Sequence, residues 1–164
     1  MNGRVRAVNA ERNARRGGFS LIEMLVAVSI VGILAGLAIP NMRNMTFRAR
    51  ATSVAADLEV LRVATLQYNA DRMGWPADAP AGEIPPDLVP FLPGGFSFDG
   101  NGYVLDFENI PLPLGLPGAP NVSRLIGASV TATDDRLANA ISELLGGNIV
   151  YSVGNTHTVL IDAL

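Results

Sequence analysis

The sequence predicts an α+β protein: a long N-terminal helix, half membrane-spanning and half amphipathic, packed on a small antiparallel β-sheet head. Three observations carry that prediction. Phe19 to Ile39 is an apolar run in which Ser20, Glu23 and Ser29 are the only polar side chains. Asn41 to Met73 contains neither Pro nor Gly and shows helical periodicity. Beyond Gly74, short apolar segments alternate with Pro, Gly and Asn, the punctuation of strands and turns. With 164 residues, 49% of them hydrophobic, the chain has material for one modest core. Three segments follow: a basic leader over 1–18, the long helix over 19–73 with 19–39 crossing a membrane, and a globular head over 74–164.

Composition narrows the function classes. There is no Cys, which removes disulfides and thiolate metal sites and leaves packing to hold the fold. All twelve basic residues are Arg, and Arg4, Arg6, Arg12, Arg15 and Arg16 crowd the start of the chain. From Gly74 onward two Arg (Arg124, Arg136) stand against ten carboxylates, a net of −8. Such a head repels a phosphate backbone, so no nucleic-acid partner is expected.

As a helix rising about 1.5 Å per residue, Phe19 to Ile39 covers the roughly 30 Å hydrocarbon core of a bilayer. A secretory signal peptide is the competing reading, with Gly36-Leu37-Ala38 as small residues for cleavage and a mature chain starting near Ile39. The run is longer than the usual h-region of about 7 to 15 residues. Glu23 also argues against it, because a carboxylate near the membrane centre costs on the order of 2.5 to 3.5 kcal/mol, and a disposable signal has no reason to carry one.

The junction Arg15-Arg16-Gly17-Gly18-Phe19-Ser20-Leu21-Ile22-Glu23 resembles the class III signal of type IV prepilins and of type II secretion pseudopilins. The resemblance implies that a prepilin peptidase cuts between Gly18 and Phe19, requires Gly18, and methylates the new amine of Phe19. It implies identical or related pilin subunits and an inner-membrane assembly platform as partners. It places the subunit in the bacterial inner membrane as a single-pass protein with a periplasmic head, and then in a periplasmic or surface filament. The family's counterpart of Glu23 meets the N-terminal amine of a neighbouring subunit. Physics supplies the motive: an unpaired charge in lipid is costly and a paired one much less so, so pairing drives and registers assembly.

Gly32 and Gly36 form a small-xxx-small pair that permits close helix approach. Pro40 removes a backbone donor and is expected to kink or interrupt the helix. The resemblance implies that the segment from Gly32 to Pro40 bends or unwinds in a filament. Five leader Arg against Glu11 favour a cytoplasmic N-terminus, a bias narrowed by Arg43, Arg48 and Arg50 beyond the span. Further along, Val54, Leu58, Leu61, Thr65 and Tyr68 make one helix face, while Val60, Val63 and Leu66 make a second. One side is available for the head and the other for neighbours, before Gly74-Trp75-Pro76 ends the helix.

Residues 75–97 hold six Pro and read as a loop, anchored by Trp75 and by Leu88 to Leu92. Gly95 to Phe98 and Tyr103 to Glu108 are expected to pair around Asp99-Gly100-Asn101-Gly102. A calcium loop built from Asp99, Asn101 and Asp106 is the alternative there, without the EF-hand spacing or its closing Glu. A second Pro/Gly loop, Leu112 to Pro120, precedes a strand over Leu125 to Thr131. A helix capped by Thr133 or Asp134 runs through Leu145, and a final hairpin turns at Gly154-Asn155 between Asn148 to Val153 and Thr158 to Ile161. His157, the only His, is expected in a solvated turn, and Asp134-Asp135 read as capping residues. Neither points to catalysis, so no enzyme activity and, calcium aside, no cofactor is expected.

The reading that joins these elements is a structural filament subunit. The lack of Cys leans towards a pseudopilus over a surface pilus. An N-terminally anchored periplasmic binding module is the alternative from another class.

Overall fold

The computed structural model describes residues 18–113 and 121–164. The leader arginines, Gly17 and most of the predicted Leu112 to Pro120 loop lie outside the described residues. The elements are α1 (Leu21–Arg72), β1 (Tyr103–Pro111), β2 (Arg124–Ala132), α2 (Asp135–Leu145), β3 (Ile149–Val153) and β4 (Thr156–Ala163). Short 3₁₀ turns cover Val89–Phe91 and Gly146–Asn148. The chain divides into two compact units, the second being Asn41–Leu164.

In the first unit α1 carries its apolar side chains in the open, from Leu21 at 85% exposed to Ile39 at 54%. The helix is assigned without a break through Gly32, Gly36 and Pro40, so Pro40 does not interrupt it. The missing proline N–H forfeits one intrahelical bond, and the turns on either side keep theirs.

In the second unit the predicted stripe of α1 is the face that is buried. Ala51, Val54, Leu58, Leu61 and Thr65 are buried, and Tyr68 packs against the same cluster. The Thr65 hydroxyl is satisfied by donating to Leu61 O at 2.8 Å. Opposite lie Tyr103, Leu105 and Phe107 of β1, Ile126, Ala128 and Val130 of β2, and Leu137, Ala138 and Ile141 of α2. Leu88 and Phe98 of the Pro-rich segment are fully buried among them, and Phe91 meets Tyr68 edge-on at 5.6 Å, so this loop is anchored where expected. The helix ends at Arg72, two residues before its glycine: Met73 takes the left-handed conformation (φ 53°), and Asn69 Nδ2 donates to Gly74 O at 3.0 Å.

The sheet is four-stranded and antiparallel, in the order β1-β2-β4-β3. Between Ile126 and Gly127 the β2–β4 register shifts, and a Cβ at Gly127 would stand 3.0 Å from Val159 O, which is why a glycine sits at this close approach. α2 is capped by Asp134, whose Oδ1 accepts from Arg136 N at 2.8 Å, and it stops at Gly146 with φ 48°.

Two expectations are corrected. Gly95 to Phe98 forms no strand; it contributes one rung, with Leu105 N donating to Phe98 O at 2.7 Å beside an Asp99–Val104 bridge. The edge of β1 is shared, because Leu105 O accepts from Gly82 N at 3.0 Å. His157 is not solvated: it lies on β4, 6% exposed, with Nδ1 2.6 Å from Ser152 Oγ and Nε2 3.1 Å from Ala138 O. It ties β3 and α2 to β4.

Candidate functional site

The first turn of α1 holds a reciprocal pair of bonds. Ser20 precedes the helix, and its Oγ accepts from Glu23 N at 3.2 Å. The Glu23 Oε2 in turn accepts from Ser20 N at 2.8 Å, and Met24 N donates to Ser20 O at 3.2 Å as the first helical bond. This is a capping box: two N-terminal amides that a helix leaves orphaned are satisfied by each other's side chains. The carboxylate also sits at the positive end of the helix dipole. Sequence reasoning gave Ser20 no role, although the Ser-x-x-Glu spacing before an apolar run was the available signal.

The box fixes where Glu23 points without exhausting it. Its Oε1 makes no hydrogen bond among the described residues and remains open to a cation. Phe19 is 80% exposed one residue before Ser20, and a Cβ added at Gly18, Gly32 or Gly36 would meet nothing within 4 Å. Among the described residues α1 is the one helix long and apolar enough to cross a membrane, and its apolar window is unburied. Exposed apolar surface of this extent marks a site for lipid or for other helices. On the later part of α1, Val63 and Leu66 are 44% and 42% exposed, so the second apolar face is uncovered as well.

Ser20→Ala removes the cap hydroxyl and leaves Glu23 N unpaired. It should cost about 1 kcal/mol of local helix stability. Hydrogen exchange of the first-turn amides in detergent micelles is expected to speed up about fivefold, with the head's amides unchanged.

Elsewhere the carboxylates are mostly engaged in structural bonds. Asp134 caps α2, and Asp135 accepts from Asn155 Nδ2 at 2.9 Å. Tyr103 OH donates to Asp57, and burial, with that carboxylate adding to it, raises the phenol well above its ordinary value. Of the calcium candidates, Asp99 and Asn101 are exposed in the turn and Asp106 is half-buried on β1. Among the described residues no group of three or more His, Cys, Asp or Glu gathers at metal-binding range.

Asp106 is the half-buried exception to this economy. Its Oδ1 is buried without a partner, and burial first, then the charges of Glu108 and Asp78, raise its pKa to about 6. The folded state therefore binds a proton that the unfolded state gives up near the ordinary 3.8, so stability falls as pH rises from about 4 to about 6. Asp106→Asn should raise stability at pH 7.5 by on the order of 1 kcal/mol after discounting for solvent screening, and by nothing near pH 4. Thermal melts of the two chains at both pH values check the sign.

One comparison with known proteins falls on the same segment. A family model described as the prokaryotic N-terminal methylation motif matches residues 13–39. The chain is 35% identical over 74 residues to the type IV major pilin protein PilE1 of Neisseria gonorrhoeae, covering 45% of this chain and 35% of the relative. It is 33% identical over 63 residues to the type II secretion system core protein G of Pseudomonas aeruginosa, covering 38% of this chain and 44% of the relative. The type IV major pilin protein PilA of Myxococcus xanthus is 35% identical over 60 residues, which is 37% of this chain and 27% of the relative. The chain thus spans less than half the length of these curated relatives. No solved structure matches it significantly.

Proposed function

We propose that this chain is a structural subunit of a type IV pilus-like or pseudopilus filament, with no catalytic role, assembled through α1 after a leader ending at Gly18 is removed. The observation that carries the reading is the Glu23 carboxylate, fixed at the first turn of α1, where the apolar run to Ile39 is exposed, with one oxygen still free. Cleavage between Gly18 and Phe19 by a prepilin peptidase creates the missing cation, the amine of Phe19. In the membrane, Glu23 of one subunit pairs with that amine on the next and sets the axial register. The helices then pack through Gly32 and Gly36, bend where Gly32 to Pro40 allows, and use Val60, Val63 and Leu66 against neighbours. The head faces the periplasm, and an inner-membrane platform drives extraction.

The matched methylation motif and the relatives' names, a major pilin and a secretion core protein among them, support this reading. The natural absence of Cys makes its test clean. Single Val63→Cys and Leu66→Cys chains, expressed with the native assembly genes, should be joined into dimers by a long bifunctional maleimide in sheared filaments, a reagent that spans the offset between like positions of a head-to-tail assembly. A chain that is only an anchored binding module would remain membrane-bound and uncrosslinked.

A further inference from the structure

The two edges of the sheet differ in a way that filament assembly through α1 does not use. The β1 edge is occupied: Leu105 gives its carbonyl to Gly82 N and its amide to Phe98 O, and Asn109 Nδ2 reaches Pro76 O. It also carries Asp106, Glu108 and Pro111, residues that discourage pairing. The β3 edge has no such guard. Its Ile149 N–H closes the preceding turn on Gly146 O, and among the described residues no other backbone group of Ile149–Val153 is bonded beyond β4. Val150, Tyr151 and Val153 are 50%, 63% and 58% exposed, and a register shift between Ile149 and Tyr151 is its one irregularity.

A cavity of about 330 Å³ adjoins this edge, lined by Leu58, Leu145, Val150 and Leu160, with the Glu59–Arg62 ion pair at 3.8 Å among its walls. Side chains alternate across a sheet, so a strand laid beside β3 would send every second side chain towards this cavity. Leu144 to Ile161 contains no carboxylate, Lys or Arg, whereas Glu143 and Asp162 bracket it and Asp135 is held at the β3–β4 turn by Asn155.

We propose that β3 is a docking edge for an extended segment of another protein, added as a fifth strand. That segment is uncharged at its centre, places one apolar side chain in the cavity, and is flanked by Arg or Lys. Main-chain bonds supply affinity and the cavity supplies selectivity. Charge favours such a partner over a second head, because two heads of net −8 repel.

The test uses the full chain in detergent micelles and three synthetic peptides. One alternates Val and Thr over nine residues with two Arg at each end, one has Asp in place of Arg, and one repeats the Arg peptide with alternate backbone amides methylated. The Arg peptide is expected to bind about tenfold more tightly than the Asp peptide at low salt, with the gap closing as salt rises. It should slow hydrogen exchange at Tyr151 to Val153 and leave the methylated peptide inactive. Val150→Asp at the cavity and Val153→Lys on the edge, each exposed enough to leave the fold intact, should each weaken binding about tenfold. Protection confined to α1, equal binding of the methylated peptide, or pairing of two copies through β3 without peptide would each overturn the proposal.

Discussion

A Glu23→Gln chain is expected to be cleaved and inserted normally yet to yield almost no filament, with subunits recovered as uncrosslinked monomers in the membrane fraction. The substitution separates the capping role seen in the structure from the proposed pairing with a neighbour's amine. Gln at this position still accepts from Ser20 N and keeps the capping box closed, so the first turn of α1 stays formed. Only the charge is lost. Pairing with the amine is then gone, and a buried amine without its counter-ion costs several kcal/mol, enough to reduce assembly by two orders of magnitude or more. Glu23→Val removes cap and charge together and should assemble no better. Were helix capping the real contribution of Glu23, Gln would restore assembly where Val does not, and the pairing account would fail on that contrast.

Gly18→Val is expected to leave the precursor intact in the membrane, with the processed form reduced more than about tenfold. The reason does not lie within the chain, since a Cβ at Gly18 meets nothing within 4 Å. On the proposed function the loss falls on the peptidase, whose site would have to take the chain at Gly18. A second consequence follows in the same variant: uncut, the Phe19 nitrogen stays a neutral amide, and Glu23 has no cation to meet. Assembly should therefore fail even for the copies that reach the membrane in normal amounts. The mass of the membrane-extracted chain and shearing of filaments read the two effects separately.

The course of α1 was legible because its signals are local. A long apolar run followed by a three-four periodicity states both halves of the helix, and the predicted face from Val54 to Tyr68 is the one the head covers. β2, α2 and the last hairpin were legible for the same reason, through alternation, a cap and a glycine stop. What escaped was decided by partners distant in sequence. His157 read as a turn residue because β4 opens Thr-His-Thr, with no apolar alternation; its burial depends on Ser152 and on a carbonyl of α2. Gly95 to Phe98 looked strand-like, yet Gly82 arrives at the same edge and takes the next bond. The raised pKa of Asp106 was not legible either, because it comes first from burial under the packed head and then from Glu108 and Asp78 together.

In the candidate site, Glu23 and its exposed helix were legible as types, an acid within an apolar run. Its orientation was missed although its signal was present: the Ser20-x-x-Glu23 spacing before the apolar run is that of a capping box, and the helix begins at Leu21 as that motif requires.

Mass spectrometry of the mature N-terminus from native membranes tests the central claim most directly. The account predicts a chain that starts at Phe19 and carries a methyl group on its amine. A chain that starts near Ile39, or one that keeps residues 1–18, would contradict it.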